Sequence, residues 1–189
     1  MKMGKYFFIG IPNCGKSTLG RLTADIMKLP FFDTDTMVCE LLKLESARDF
    51  FRAAFNSQFM NAQRAVINEL AGLNGNGIIA TGAEVALIPE CAGRMHAAGT
   101  IIHIKRKPKI ILSDLRNSGK RRPILRDEEN GTEIDMQENA VKLYFKEYRQ
   151  YKAIADLSLD NNGSEDEGVQ KLVVLINQWH NNENTCTKT

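Results

Sequence analysis

Short apolar runs alternate with longer amphipathic stretches along this chain. That is the pattern of an α/β domain built on a parallel sheet. The runs Lys5–Ile9, Pro30–Phe32, Gly77–Ala80, Thr100–Ile104 and Ala155–Leu159 predict strands, being short, β-branched or aromatic, and flanked by Gly or Asp. Helices are predicted over Lys16–Lys28, Thr36–Leu44, Pro89–Ala98, Pro108–Asn117, Gln137–Lys152 and Glu165–Trp179, and a broken pair over Ala47–Leu73. Pro89 and Pro108 suit a first helical turn, where the missing N–H has no partner to lose. The segment Asn117–Glu133 is polar and rich in Arg and Lys, with Gly119 and Gly131 near its ends. So long a connection in a compact domain reads as a lid, here about residues 117–133. Residues 1–180 read as a single domain, and the polar residues 181–189 as a disordered tail.

Composition adds bounds. The 189 residues are 43% hydrophobic and 25% charged, enough for a packed core. A net charge of +2 gives no basic surface that would call for nucleic acid. Cys14, Cys39, Cys91 and Cys186 lie far apart without metal or redox spacing, as expected of reduced thiols in a cytoplasmic protein. The early apolar run Tyr6–Ile11 is broken by Gly10 and Pro12. It is too short for a signal peptide or a membrane span, so no membrane association is expected.

The strongest chemical signal follows the first strand: Gly10-Ile-Pro-Asn-Cys-Gly-Lys-Ser-Thr18, running straight into a predicted helix. Glycines at this spacing let successive N–H groups curl around phosphate oxygens, and the helix N-terminus favours the anion. Gly10, Asn13, Cys14, Gly15 and Thr18 would cradle a nucleoside triphosphate, ATP with Mg²⁺; Lys16 would reach its β- and γ-phosphates and Ser17 would ligate the metal. At the carboxyl end of the second strand, Phe31-Phe32-Asp33-Thr34-Asp35 places two acids at the edge of the sheet where open α/β sheets bind ligands. Of Asp33 and Asp35, one can hold Mg²⁺ or its waters and the other can orient an acceptor hydroxyl and take its proton; alternatively one of them, Asp35 before Thr36, only caps the next helix.

With these residues in place, the sequence resembles the shikimate kinase family, within the P-loop nucleoside-monophosphate-kinase-like group, over about residues 5 to 160. The resemblance rests on Gly10–Arg21, F-F-D-T-D at Phe31–Asp35, S-A-R-D-F-F at Ser46–Phe51, V-I-N-E-L at Val66–Leu70, A-T-G at Ala80–Gly82 and R-R-P-I-L at Arg121–Leu125. It implies a three-layer α/β sandwich around a five-stranded parallel sheet of order 2-3-1-4-5, with a mobile lid, acting as a monomer on a small-molecule substrate. It also implies catalytic roles for Lys16, Asp35 and Arg122, with Arg122 closing over the transferring phosphoryl group and Arg116 stacking on adenine. The plainer reading of Lys120, Arg121 and Arg122 is a solvated charge run.

The acceptor side departs from that family. Its F-R-x-x-E arginine falls on Met60 of Phe59-Met60-Asn61-Ala62-Gln63, and its second arginine on Glu147, with Arg149 two residues on. Its Gly-Gly-Gly turn is Gly82-Ala83-Glu84 here. Gly82, Ala83, Met60, Arg149 and Asp35 thus form the expected acceptor set. Arg48, Arg52 or Arg64 could supply the missing charge from another helical turn, or Glu84 could face solvent. Removing an arginine from a buried carboxylate costs on the order of 3–5 kcal/mol. A neutral or cationic hydroxylated acceptor therefore stands beside shikimate, and a nucleotide-binding regulatory module stands beside both. His96, His103 and His180 have no metal spacing, and His103 reads as a core or strand-end residue. Cys14 reads as a small side chain that fits its loop, or as a redox-sensitive thiol.

Overall fold

Tyr6, Phe7, Phe8 and Ile9 are all buried, as a strand covered on both faces requires, and their run forms β1 (Lys5–Ile9) at the centre of the sheet. The computed structural model describes residues 4–45, 57–118, 146 and 148–186. The remaining strands are β2 (Phe31–Asp33), β3 (Gly77–Ala80), β4 (Gly99–Lys105) and β5 (Leu157–Asp160). Their order is β2-β3-β1-β4-β5 and every pairing is parallel, as the resemblance implies.

The helices are α1 (Lys16–Met27), α2 (Thr34–Leu42), α3 (Ser57–Gly72), α4 (Pro89–Ala98) and α5 (Pro108–Ser118), then α6 (148–154) and α7 (Glu165–Cys186). Parallel neighbours need such crossovers. Two groups flank the sheet: α1 packs on α7, while α3 packs on α2 and α4. Leu19 and Ala24 of α1, Val66, Ile67 and Leu70 of α3, and Leu172 and Ile176 of α7 carry their apolar stripes into the core.

Most element boundaries differ from the sequence expectation by one or two residues, β5 for example covering Leu157–Asp160 rather than Ala155–Leu159, and three differences have a clear cause. β2 is shifted by one residue, to Phe31–Asp33: these residues pair with Ile78, Ile79 and Ala80, while Pro30, which has no N–H to donate, contributes only its carbonyl, accepting from the Ile78 N–H at 2.9 Å. The next helix starts at Thr34 rather than Thr36, because Asp33 itself caps it. Finally, α7 continues through residues 181–186 to Cys186, so much of the stretch expected as a disordered tail is helical. No Gly or Pro stops it there, and His180 is buried. Residues 187–189 lie outside the described residues.

Candidate active site at the carboxyl edge of the sheet

The register gathers the signature residues. Phe8 of β1 and Asp33 of β2 both pair with Ala80 of β3, so these strands end in one row. From that row leave the phosphate loop, the Asp33-Thr34-Asp35 segment and the Gly82 turn.

In the loop, Gly10 has φ 142° and Gly15 φ 100°, backbone that L side chains rarely adopt. A Cβ on Gly10 would come within 2.5 Å of the Ile104 carbonyl, so glycine is required by space as well. Asn13 takes φ 62°, which asparagine tolerates better than most residues. Gly15 opens α1 with no side-chain cap and no acid in the first turn, so the N–H groups of that turn have no protein carboxylate on them. Lys16 is buried, and its Nζ donates to the Gly10 and Ile11 carbonyls at 2.7 and 3.0 Å. Ser17 and Thr18 are exposed. The Cys14 thiol is fully buried, 3.8 Å from Lys16 Nζ.

The acidic segment is built in the opposite sense. Asp33 Oδ1 accepts from the Asp35 and Thr36 N–H groups at 3.0 and 3.3 Å, capping α2. The capping role the sequence offered to Asp35 therefore belongs to Asp33, which keeps its second oxygen for other partners. Thr34 is buried and its hydroxyl accepts from the Gly82 N–H at 2.8 Å, locking α2 to the Gly82 turn. Asp35 lies against that turn: a Cβ on Gly82 would sit 2.5 Å from Asp35 Oδ1. Burial, then the charges of Asp35, Asp33 and Glu40, pushes the Cys39 thiol up, which registers how negative this corner is.

On the acceptor side, Ala83 is tied down by Tyr151 of α6, whose hydroxyl donates to its carbonyl at 2.7 Å. Glu84 is half-buried, and desolvation pushes its carboxyl above the usual range. Met60 packs against the core, and Gln63, one turn on, is buried with no partner for its Oε1. Arg64 faces Glu90 at 3.4 Å. Arg149 is exposed, and two positions from Tyr151 it lies on a different face of α6. Arg122, Lys120, Arg121, Arg48, Arg52 and Glu147 lie outside the described residues, as does most of the expected lid; so does the side chain of Arg116, whose backbone belongs to α5.

Asn161 escaped sequence reasoning, whereas His103 is the core residue that the sequence reads it as. Asn161 donates its amide to the Cys14 carbonyl at 2.9 Å from the far end of the chain. The Asp160-Asn-Asn-Gly163 turn marks the end of a strand, but nothing in it names a partner. His103 is 3% exposed beneath the loop, beside Tyr148 and Tyr151, with Nδ1 unpartnered. Burial, with Lys105 and Lys16 adding, pushes it down to about 4, so it is neutral at physiological pH.

A Mg²⁺ carried with the nucleotide suits this edge. Among the described residues no three His, Cys, Asp or Glu gather as a dedicated metal cage. The exposed Ser17 hydroxyl and the Asp33 carboxylate oxygen not used in the cap are hard oxygen donors, the kind that Mg²⁺ takes one or two of beside phosphates and water.

The chain matches the family model for shikimate kinase over residues 12–177. A shikimate kinase of Clostridium beijerinckii is 31% identical over 158 residues, 84% of this chain and 86% of that one. One from Clostridium botulinum (strain Alaska E43 / Type E3) is 29% identical over 178 residues, 91% and 96% of the two chains. Among solved structures, the shikimate kinase of Bacteroides thetaiotaomicron matches with a TM-score of 0.79 at 22% identity, covering 93% of this chain and 99% of that one. The Acinetobacter baumannii enzyme in complex with shikimate matches with a TM-score of 0.78 at 20% identity, covering 93% and 94%. At those identities the structural matches speak to the fold, and the family match together with the Clostridium relatives speaks to kinship. This chain belongs to the shikimate kinase family, and it is a phosphotransferase with a hydroxyl group as acceptor.

Proposed function

We propose that this protein transfers the γ-phosphoryl group of Mg·ATP to a hydroxyl of shikimate, giving shikimate 3-phosphate. The observation that carries the proposal is the shared row of Phe8, Ala80 and Asp33, which brings the Lys16 loop and the Asp35–Gly82 corner to one sheet edge. In this reading the N–H groups of the loop and of the uncapped start of α1 take the phosphate oxygens. Lys16 Nζ leaves the Gly10 and Ile11 carbonyls for the β- and γ-phosphates, and Arg122 and Arg116 complete the nucleotide site. Ser17 and Asp33 hold Mg²⁺, which supplies charge neutralisation on the phosphates when bound. Asp35 orients the acceptor hydroxyl and takes its proton, with Gly82 and Ala83 lining the acceptor turn beside Met60, and Arg149 at its rim. We read residues 1–180 as one kinase domain acting as a cytoplasmic monomer, without nucleic-acid or membrane partners. No described helix is long and apolar enough to cross a membrane.

One observation favours a second reading of the acceptor. Met60 packs into the core, Gln63 is neutral, and Glu84 is an acid in the acceptor turn. A hydroxylated acceptor that is neutral or cationic fits such a turn better than a carboxylate does. Calorimetric titration with shikimate, alongside an ADP-release assay, decides between them. Shikimate-dependent ADP release at a saturable concentration is expected. Intact ATP binding with no shikimate binding at millimolar concentration transfers the assignment to the second reading.

A further inference from the structure

The phosphate loop is held from outside by a residue at the opposite end of the sequence. Asn161 follows β5 and is 3% exposed. Its Nδ2 donates to the Cys14 carbonyl at 2.9 Å, and a Cβ on Gly15 would meet that same Nδ2 at 2.6 Å. Its backbone is fixed on both sides: the N–H donates to the Lys105 carbonyl at 2.7 Å, and its carbonyl accepts from Arg106 Nη1 at 2.8 Å. Arg106 in turn is forked onto Asp114 of α5, with Nη2 at 2.6 Å and Nε at 3.1 Å. Lys107 N–H closes the set on Asn162 Oδ1 at 2.9 Å. Asn161 Oδ1 has no partner and lies where a Cβ on Gly168 would meet it at 2.8 Å. Leaving a buried acceptor unpaired is costly, so the packing here favours the donor end of the amide over the acceptor end.

We propose that Asn161 is a positioning residue for nucleotide binding: it prevents the Cys14–Gly15 peptide from flipping. In a trans peptide the C=O and N–H point in opposite directions. Holding the Cys14 carbonyl on Asn161 therefore directs the Gly15 N–H away from Asn161, across the loop. The peptide before a glycine is the one most free to rotate, because glycine accepts either sign of φ. Gly15 at φ 100° is the residue that would relax if the carbonyl were released. The flipped peptide would present a carbonyl oxygen, in place of a donor, to the phosphates. Through Arg106 and Asp114 the same anchor reaches α5.

The inference rests on ATP being held by this loop, and the test separates the two. Asn161→Ala and the near-isosteric Asn161→Asp, which loses the donor, are titrated with ATP and assayed in both substrates. KM and Kd for ATP should rise about tenfold, the equivalent of one buried hydrogen bond, while KM for the acceptor stays within about twofold. Arg106→Gln should move the ATP constants in the same direction by a smaller factor. Its effect and that of Asn161→Ala should combine less than additively, because both act on one strut. If wild type itself binds no ATP, the loop assignment fails. If wild type binds and both Asn161 variants bind equally well, Asn161 is only packing and the inference is overturned. Should Asn161→Ala not fold, Asn161→Ser, which keeps a donor on a shorter arm, is read by the same criterion; wild-type ATP affinity there, like an equal rise in both substrate KM values, overturns it.

Discussion

Two helices begin at the same edge of the sheet and are finished in opposite ways. α1 starts at an αL glycine with no side-chain cap and no acid in its first turn, while α2 is capped by Asp33 and carries Asp35 in its first turn. A helix start without a carboxylate of its own can receive an anion; one already occupied by a carboxylate cannot do so cheaply. One edge thereby separates a site for the anionic donor from a negative corner suited to holding a hydroxyl and removing its proton. Lys16 in the first turn of α1 and Asp35 in the first turn of α2 complete the contrast.

The comparison predicts what each side loses. The largest effect belongs to Lys16→Met, which should lower kcat by about 10³ or more with the fold preserved, because transition-state charge on the phosphoryl group goes unanswered. ADP release and far-ultraviolet circular dichroism read both halves of that statement. Asp35→Asn should lower kcat by about 10²–10³ while leaving KM for ATP within about twofold. A matching loss of ATP affinity would break the division between the two helices.

The third effect concerns the ground beneath the donor side. His103 stays neutral down to about pH 4 in the folded protein, whereas an ordinary histidine takes its proton near 6.5. Between those values the unfolded chain binds more protons, so stability falls as pH drops from 6.5 towards 4 and is fully present above 6.5. The His103 contribution to that fall is on the order of 3 kcal/mol. His103→Phe, which keeps the ring against Tyr148 and Tyr151, should flatten the slope in denaturant titrations at stepped pH. An unchanged slope would remove His103 from the account.

The smallest effect is Asp33→Ala. It should cost about 1 kcal/mol as a lost helix cap, seen as a drop of a few degrees in Tm. Raising Mg²⁺ should not restore that drop, although it should partly restore activity if Asp33 also serves the metal. Stability unchanged in Asp33→Ala would mean that the cap bonds to Asp35 and Thr36 are not what starts α2.

The donor loop was legible in the sequence because its chemistry is local. Glycine spacing, the following lysine and a strand-to-helix transition sit within a dozen or so residues, and local backbone geometry needs only local information. The five strands and their parallel order were legible too, the strands from periodicity and the order through family resemblance. The boundary at Asp33 was not. A one-residue shift of β2 and an earlier start of α2 depend on which backbone N–H groups its carboxylate reaches, and propensity does not say that. Met60 and Glu84 stood out from the sequence only against the family pattern, and the burial of Gln63 and the raised Glu84 carboxyl came from the fold.

By itself, then, the sequence determined that a phosphate-binding loop heads a parallel α/β sheet and that two acids stand at the carboxyl end of the second strand. Tertiary structure decided which of those acids caps a helix and which faces the Gly82 turn. It decided that a histidine in an apolar strand lies under the loop, and that an asparagine 147 positions along the chain holds the Cys14 carbonyl. The reason is physical. Spacing along a chain encodes contacts made within one or two turns, while the partner of a side chain beyond β5 is set only when parallel strands bring distant segments to a common edge.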